Sequence, residues 1–237
     1  MTLEDVLITF SRRDVLSIVG LGFLSVLLWQ VPVIKLLFYP FRLLDTFVHE
    51  LSHGFAAGMT GGRFVRFEVN PLLSGRAWAY GGMTLIVASA GFLGTALFGG
   101  FLVLLTTASI SARVVLIGIG LLLGLLCLLF VSNCFGIVAG WTLAGLFFVA
   151  GWQLDDEGAA AILLFLAVQM ILASFDSLFD LVKFPNYTKY GLPPSDAEIM
   201  EKTTGIPAGT WALFWCFIAV GILIWSITTA YRDLPLY

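Results

Sequence analysis

The sequence predicts an all-α polytopic membrane protein of six or seven transmembrane helices with one short β-hairpin, and three observations carry that prediction. Of its 237 residues, 59% are hydrophobic and 11% are charged, whereas a soluble domain carries about a quarter charged residues because its surface faces water. Apolar stretches long enough to cross a hydrocarbon layer, about 20 residues each, recur along the chain. Between two of them, one segment alternates polar and apolar residues with the period of a strand. A single membrane-embedded domain over 1–237, without a soluble lobe, is expected.

The predicted spans are Val15–Ile34, Phe41–Met59, Met83–Thr106, Val114–Phe130, Phe135–Trp152, Ala159–Leu178 and Trp211–Thr229. Val15–Ile34 follows Arg12 and Arg13 but is long for a signal peptide and lacks a small-residue cleavage site, so it reads as a retained span. The paired arginines favour a cytoplasmic N-terminus and Lys35 and Arg42 oppose it, so orientation stays open. From Val114 to Gly151 there is no charge, and Asn133 marks the turn between two helices. The hairpin is expected from Arg63–Val69 and Arg76–Tyr80, punctuated by Asn70-Pro71 and Gly75. Lys183 to Pro207 is a polar connection with four of the eight prolines, long enough to be ordered over a site.

The net charge of -3 and the scattered Lys and Arg argue against a nucleic-acid partner. Cys127, Cys134 and Cys216 lie singly in apolar segments, which fits buried packing and neither a disulfide framework nor a thiolate metal site. No internal repeat suggests transporter architecture.

The chemistry is concentrated in His49-Glu50-Leu51-Ser52-His53. On a helix, residues four apart share a face, so both imidazoles reach one metal, and Glu50 falls beside them, placed to hold a water. Zinc bound there would lower the pKa of that water toward about 7 and polarise a carbonyl, with Glu50 moving the proton. These are the chain's two histidines, and a His-Glu-His triplet in an apolar helix is costly unless it has a function. A catalytic zinc takes a third protein ligand. With no third histidine, a distal carboxylate is expected, and Asp176 and Asp180 are the candidates at membrane depth. They are four residues apart, so one could bind metal while the other orients a histidine or pairs with Lys183. Asp45 is either a partner behind His49 or a helix-start residue. Asp155, Asp156 and Glu157 fit a solvated connection.

In these residues the chain resembles the site-2 protease family of intramembrane zinc metallopeptidases, and most closely its peptidase M50B-like branch. The resemblance runs through His49-Glu50-Leu51-Ser52-His53-Gly54, Gly61-Gly62-Arg63 and Ala88-Ser89-Ala90-Gly91-Phe92-Leu93-Gly94. It continues through Asp180-Leu181, Ser195-Asp196-Ala197, Thr204-Gly205-Ile206-Pro207 and Trp211, and covers most of residues 45–215. It implies a zinc ion held by His49, His53 and Asp180 or Asp176, with Asp180 the better match, and Glu50 as catalytic base. Apart from Asn70-Pro71 in the expected hairpin, the asparagine-proline and leucine-aspartate-glycine elements of other members are absent, which leaves the third ligand and the oxyanion donor open, with Asn133 a candidate for a polar partner.

The expected function is therefore hydrolysis of peptide bonds in a membrane-tethered protein substrate, within or beside a lipid bilayer that is expected to be a bacterial cell membrane. An edge of the hairpin could hold an unwound substrate by strand addition; equally, the hairpin could pack only within the protein. The alternatives are an inactive zinc-binding membrane scaffold and an ion-coupled transporter. Glycines 91, 94, 99 and 100 are expected to permit close helix packing rather than to contact substrate.

Overall fold

A computed structural model describes residues 20, 32–108, 110–183, 193–230 and 232, with backbone alone over 32–37 and 173–183. Most of the expected span Val15–Ile34 lies outside the described residues. The order of elements is α1 (Pro32–Met59), β1 (Arg63–Val69), β2 (Gly75–Tyr80), α2 (Thr84–Thr107), α3 (Ala112–Phe130), α4 (Cys134–Gln153), α5 (Asp156–Lys183), α6 (Asp196–Thr204) and α7 (Ala208–Ala230). The all-α membrane fold with its hairpin is as the sequence predicts. Among the described residues, four helices, α2, α3, α4 and α7, are long and apolar enough to cross a membrane. Helices α1 and α5 have 28 residues each.

Helix α1 is the axis of the molecule. It opens on Pro32, whose missing N–H costs nothing in a first turn, and packs against α2, α5 and both strands. Leu43, Leu44, Phe47 and Leu51 form its buried stripe, in one core with Phe67 and Val69 of β1 and residues of α2 to α5. Glycines draw the helices together. A Cβ at Gly94 would strike Ser52, one at Gly99 would press on Met170 and Ile171, and one at Gly100 would strike Ser226. At these three positions the packing role expected of the glycines accounts for them.

The hairpin is antiparallel, with Phe67 opposite Ala77 and Arg66 opposite Trp78, and an irregularity between Phe64 and Arg66. At its base Gly82 has φ +86° and lies against Ala57 and Thr60, a conformation and a closeness that L side chains do not tolerate. From there the hairpin runs back along α1. Ala57 accepts a backbone bond from Gly62 at 2.8 Å, Thr46 donates to the Leu73 carbonyl at 3.2 Å, and Tyr39 donates to the Pro71 carbonyl at 3.0 Å. Those contacts span 18 residues of helix, about 27 Å at 1.5 Å per residue. Phe64 lies against Gly54, which has no Cβ to obstruct the ring, and Phe67 meets Phe47 edge to face at 5.6 Å.

A short stretch between α3 and α4 closes the outer edge of β1. Val131 forms a parallel bridge with Phe67, and the Ser132 N–H donates to the Phe67 carbonyl at 3.1 Å. Asn133 then clasps Val69 on both sides, accepting from its N–H at 3.2 Å and donating to its carbonyl at 2.6 Å. Asn133 is therefore both the expected turn residue, preceding α4, and a side-chain extension of the sheet. The polar connection before Pro207 contains α6, started by a capping box in which Ser195 accepts from the Glu198 N–H and Glu198 accepts from the Ser195 N–H. Ala197 and Met200 of α6 pack with Ala88 of α2 and Ala208, Ala212 and Trp215 of α7.

Candidate metal centre

His49, Glu50 and His53 sit midway along α1, where the hairpin, α2 and α6 meet. Glu50 and His53 are buried and His49 is partly so. The His53 Nδ1–H donates to the Val87 carbonyl at 2.6 Å, which fixes the ring and leaves Nε2 with its lone pair. That Nε2 lies 3.1 Å from His49 Nε2. The third corner is Asp196, whose Oδ2 is 3.1 Å from His49 Nε2 and 3.3 Å from His53 Nε2.

These three atoms form a nearly equilateral triangle of donors. Three lone pairs converging this closely repel one another unless a cation, proton or metal, lies among them. Zinc bound at about 2.0–2.1 Å in tetrahedral geometry sets its ligands about 3.3 Å apart, close to the separations found, so the residues present fit the metal.

Two glycines make the room. A Cβ at Gly91 of α2 would fall 2.5 Å from His49 Nε2 and 2.6 Å from His53 Nε2, so Gly91 serves the imidazoles rather than helix packing alone. A Cβ at Gly75 would lie 2.5 Å from Glu50 Oε1. Glu50 thus lies directly against β2 at Gly75. The general-base candidate on α1 is packed against β2, and the ligand candidates come from α1 and α6. Behind His49, Phe92 meets the ring edge to face at 5.6 Å and stacks on Trp215 at 4.7 Å, and Trp215 donates to Ser89 at 3.1 Å.

Of the carboxylates expected near the histidines, Asp180 and Asp176 lie in the last turns of α5, with side chains outside the described residues. Asp45 lies one turn before His49, partly buried. Asn133 engages Val69 and is committed to the hairpin. Asp196 is the residue that sequence reasoning did not assign, although Ser195-Asp196-Ala197 is one of the segments that carry the resemblance. Its signal was there to be read: Ser195 and Glu198 have capping-box spacing, which places Asp196 in the first turn of a helix.

Four helices apolar enough to span a membrane, with two histidines, a glutamate and a distant aspartate gathered around one point by α1 and α6, define an integral membrane protein with a partly buried metal-type donor set. The chain belongs to the peptidase M50B-like family, within the site-2 proteases: the family's profile matches residues 18–226. No curated protein and no solved structure shows a significant match to it.

Proposed function

We propose that this protein is an intramembrane zinc metalloprotease that hydrolyses peptide bonds of membrane-tethered protein substrates. The observation that carries the reading is the convergence of His49, His53 and Asp196 on one point with Glu50 beside it. His49 and His53 would hold the metal through Nε2 and Asp196 through Oδ2, in the role that the sequence suggested for Asp180 or Asp176. Zinc so held supplies an activated water and a polarised carbonyl. Glu50 takes a proton from the attacking water and delivers it to the leaving amine. Its contact with Gly75 of β2 places the carboxylate, and the enclosure of the site by α1, α2 and the hairpin limits competing solvent.

Strand addition also gains support. The outer edge of β1 at Phe67–Val69 is occupied by residues 131–133, so β2 is the edge left for a substrate. Phe67 faces Ala77 and gives its carbonyl to Ser132 rather than to β2, so residues 75, 77 and 79 present their backbone groups away from β1, and Gly75 among them lies against Glu50. An extended substrate held there would offer its carbonyl next to Glu50.

The inactive-scaffold alternative keeps the metal and loses the cleavage, so the two are separated by one substitution. Purified wild type should cut a labelled transmembrane substrate from a panel, and Glu50→Gln should retain zinc while losing about 10²–10⁴-fold in rate. Cleavage that survives Glu50→Gln would remove Glu50 from the chemistry.

A further inference from the structure

The two faces of the hairpin differ in chemistry. Phe67 and Val69 point into the core. The opposite face carries Arg66, Glu68, Arg76 and Trp78, which the register makes cross-strand neighbours. Arg66 and Arg76 both lie over the Trp78 ring, at 4.8 and 5.9 Å from its centroid, and both are exposed. Glu68, the carboxylate on this face, accepts from Ser132 at 3.0 Å. Among the described residues no ion pair joins it to either arginine.

Two guanidinium groups over one ring, joined to no carboxylate among the described residues, concentrate positive charge on one face of a chain of net charge -3. Both guanidinium groups are exposed, so this face is open to water or peptide. Arg76 also directly follows Gly75, which lies against Glu50. In a sheet, the side chains of a strand added to β2 alternate between the faces, and those on the outer face become neighbours of Arg76 and Trp78.

We propose that Arg66 and Arg76, braced on Trp78, form a subsite that selects an acidic side chain on the substrate segment lying along β2. The proposal rests on the proteolytic reading and adds to it the class of substrate. Charge complementarity sets the preference: a carboxylate reaching this face meets two guanidinium groups whose planes Trp78 has already ordered.

The test uses full-length Glu50→Gln protein, zinc-loaded in nanodiscs, and two fluorescent extended peptides identical except for Glu or Gln at alternate positions. At low salt the Glu peptide should bind about 3–10-fold tighter, with the advantage shrinking at about 0.5 M salt. The advantage should vanish in Arg66→Gln/Arg76→Gln and reverse in Arg66→Glu/Arg76→Glu; the Gln pair covers the event that charge reversal prevents folding. Equal affinity for the two peptides, no binding of either, or an advantage that persists in the double variants would overturn the subsite. Cleavage of the Gln peptide by protein retaining Glu50, run in parallel, reports on the proteolytic reading independently of the binding ratio.

Discussion

At the residue scale, what could be read from the sequence was whatever is local. His49, Glu50 and His53 are a short-range pattern whose geometry follows from helix periodicity alone, so their placement needs no tertiary information. Asp196 is 147 residues from its partner His49, and no periodicity connects them. Asp176 and Asp180 drew attention because they sit in an apolar segment, whereas Asp196 sits in a polar one that the fold turns inward over the histidines. Gly91 is similar: a glycine in an apolar helix reads as a packing residue until the imidazoles are seen against it. Gly91→Ala should therefore lower zinc affinity by about ten-fold or more, as changes to residues that orient metal ligands do, measured by competition with a chelator. Unchanged affinity would show that the rings have space to spare.

At the element scale, the hairpin and the spans after it were legible because alternation and apolar length are properties of contiguous sequence. The stretch at 131–133 was not, since three residues joining the edge of a distant strand have no periodicity of their own. Asn133 shows the consequence: a residue read as a turn is a turn, and its amide also replaces the partner that β1 lacks. Asn133→Ala removes both side-chain bonds to Val69 and should destabilise the protein by about 1–3 kcal/mol. If β1 holds β2, and β2 holds Glu50, the variant should keep its zinc and lose turnover. Loss of zinc with turnover per bound metal unchanged would break that chain of positioning. The capping box of α6 belongs to the same scale, because it orients the first turn that bears Asp196 at the site.

At the scale of the whole molecule, the helices do two jobs. One core assembles α1, the hairpin and α2 to α5 around the two histidines, and a smaller one ties α6 to α2 and α7. The donor triangle exists only where these two packing units meet, so neither α1 nor α6 carries the site alone. A local sequence pattern can specify half of such a centre, and only tertiary packing supplies the other half. The account's central claim is that Asp196 completes a zinc site with His49 and His53. The most direct measurement is the zinc content of purified wild type, Asp196→Ala, Asp176→Asn and Asp180→Asn after reconstitution and dialysis against a weak chelator. The account predicts about one zinc per chain in wild type and in both α5 variants, and its loss in Asp196→Ala. Retention of zinc by Asp196→Ala, with loss in Asp180→Asn or Asp176→Asn, would contradict it.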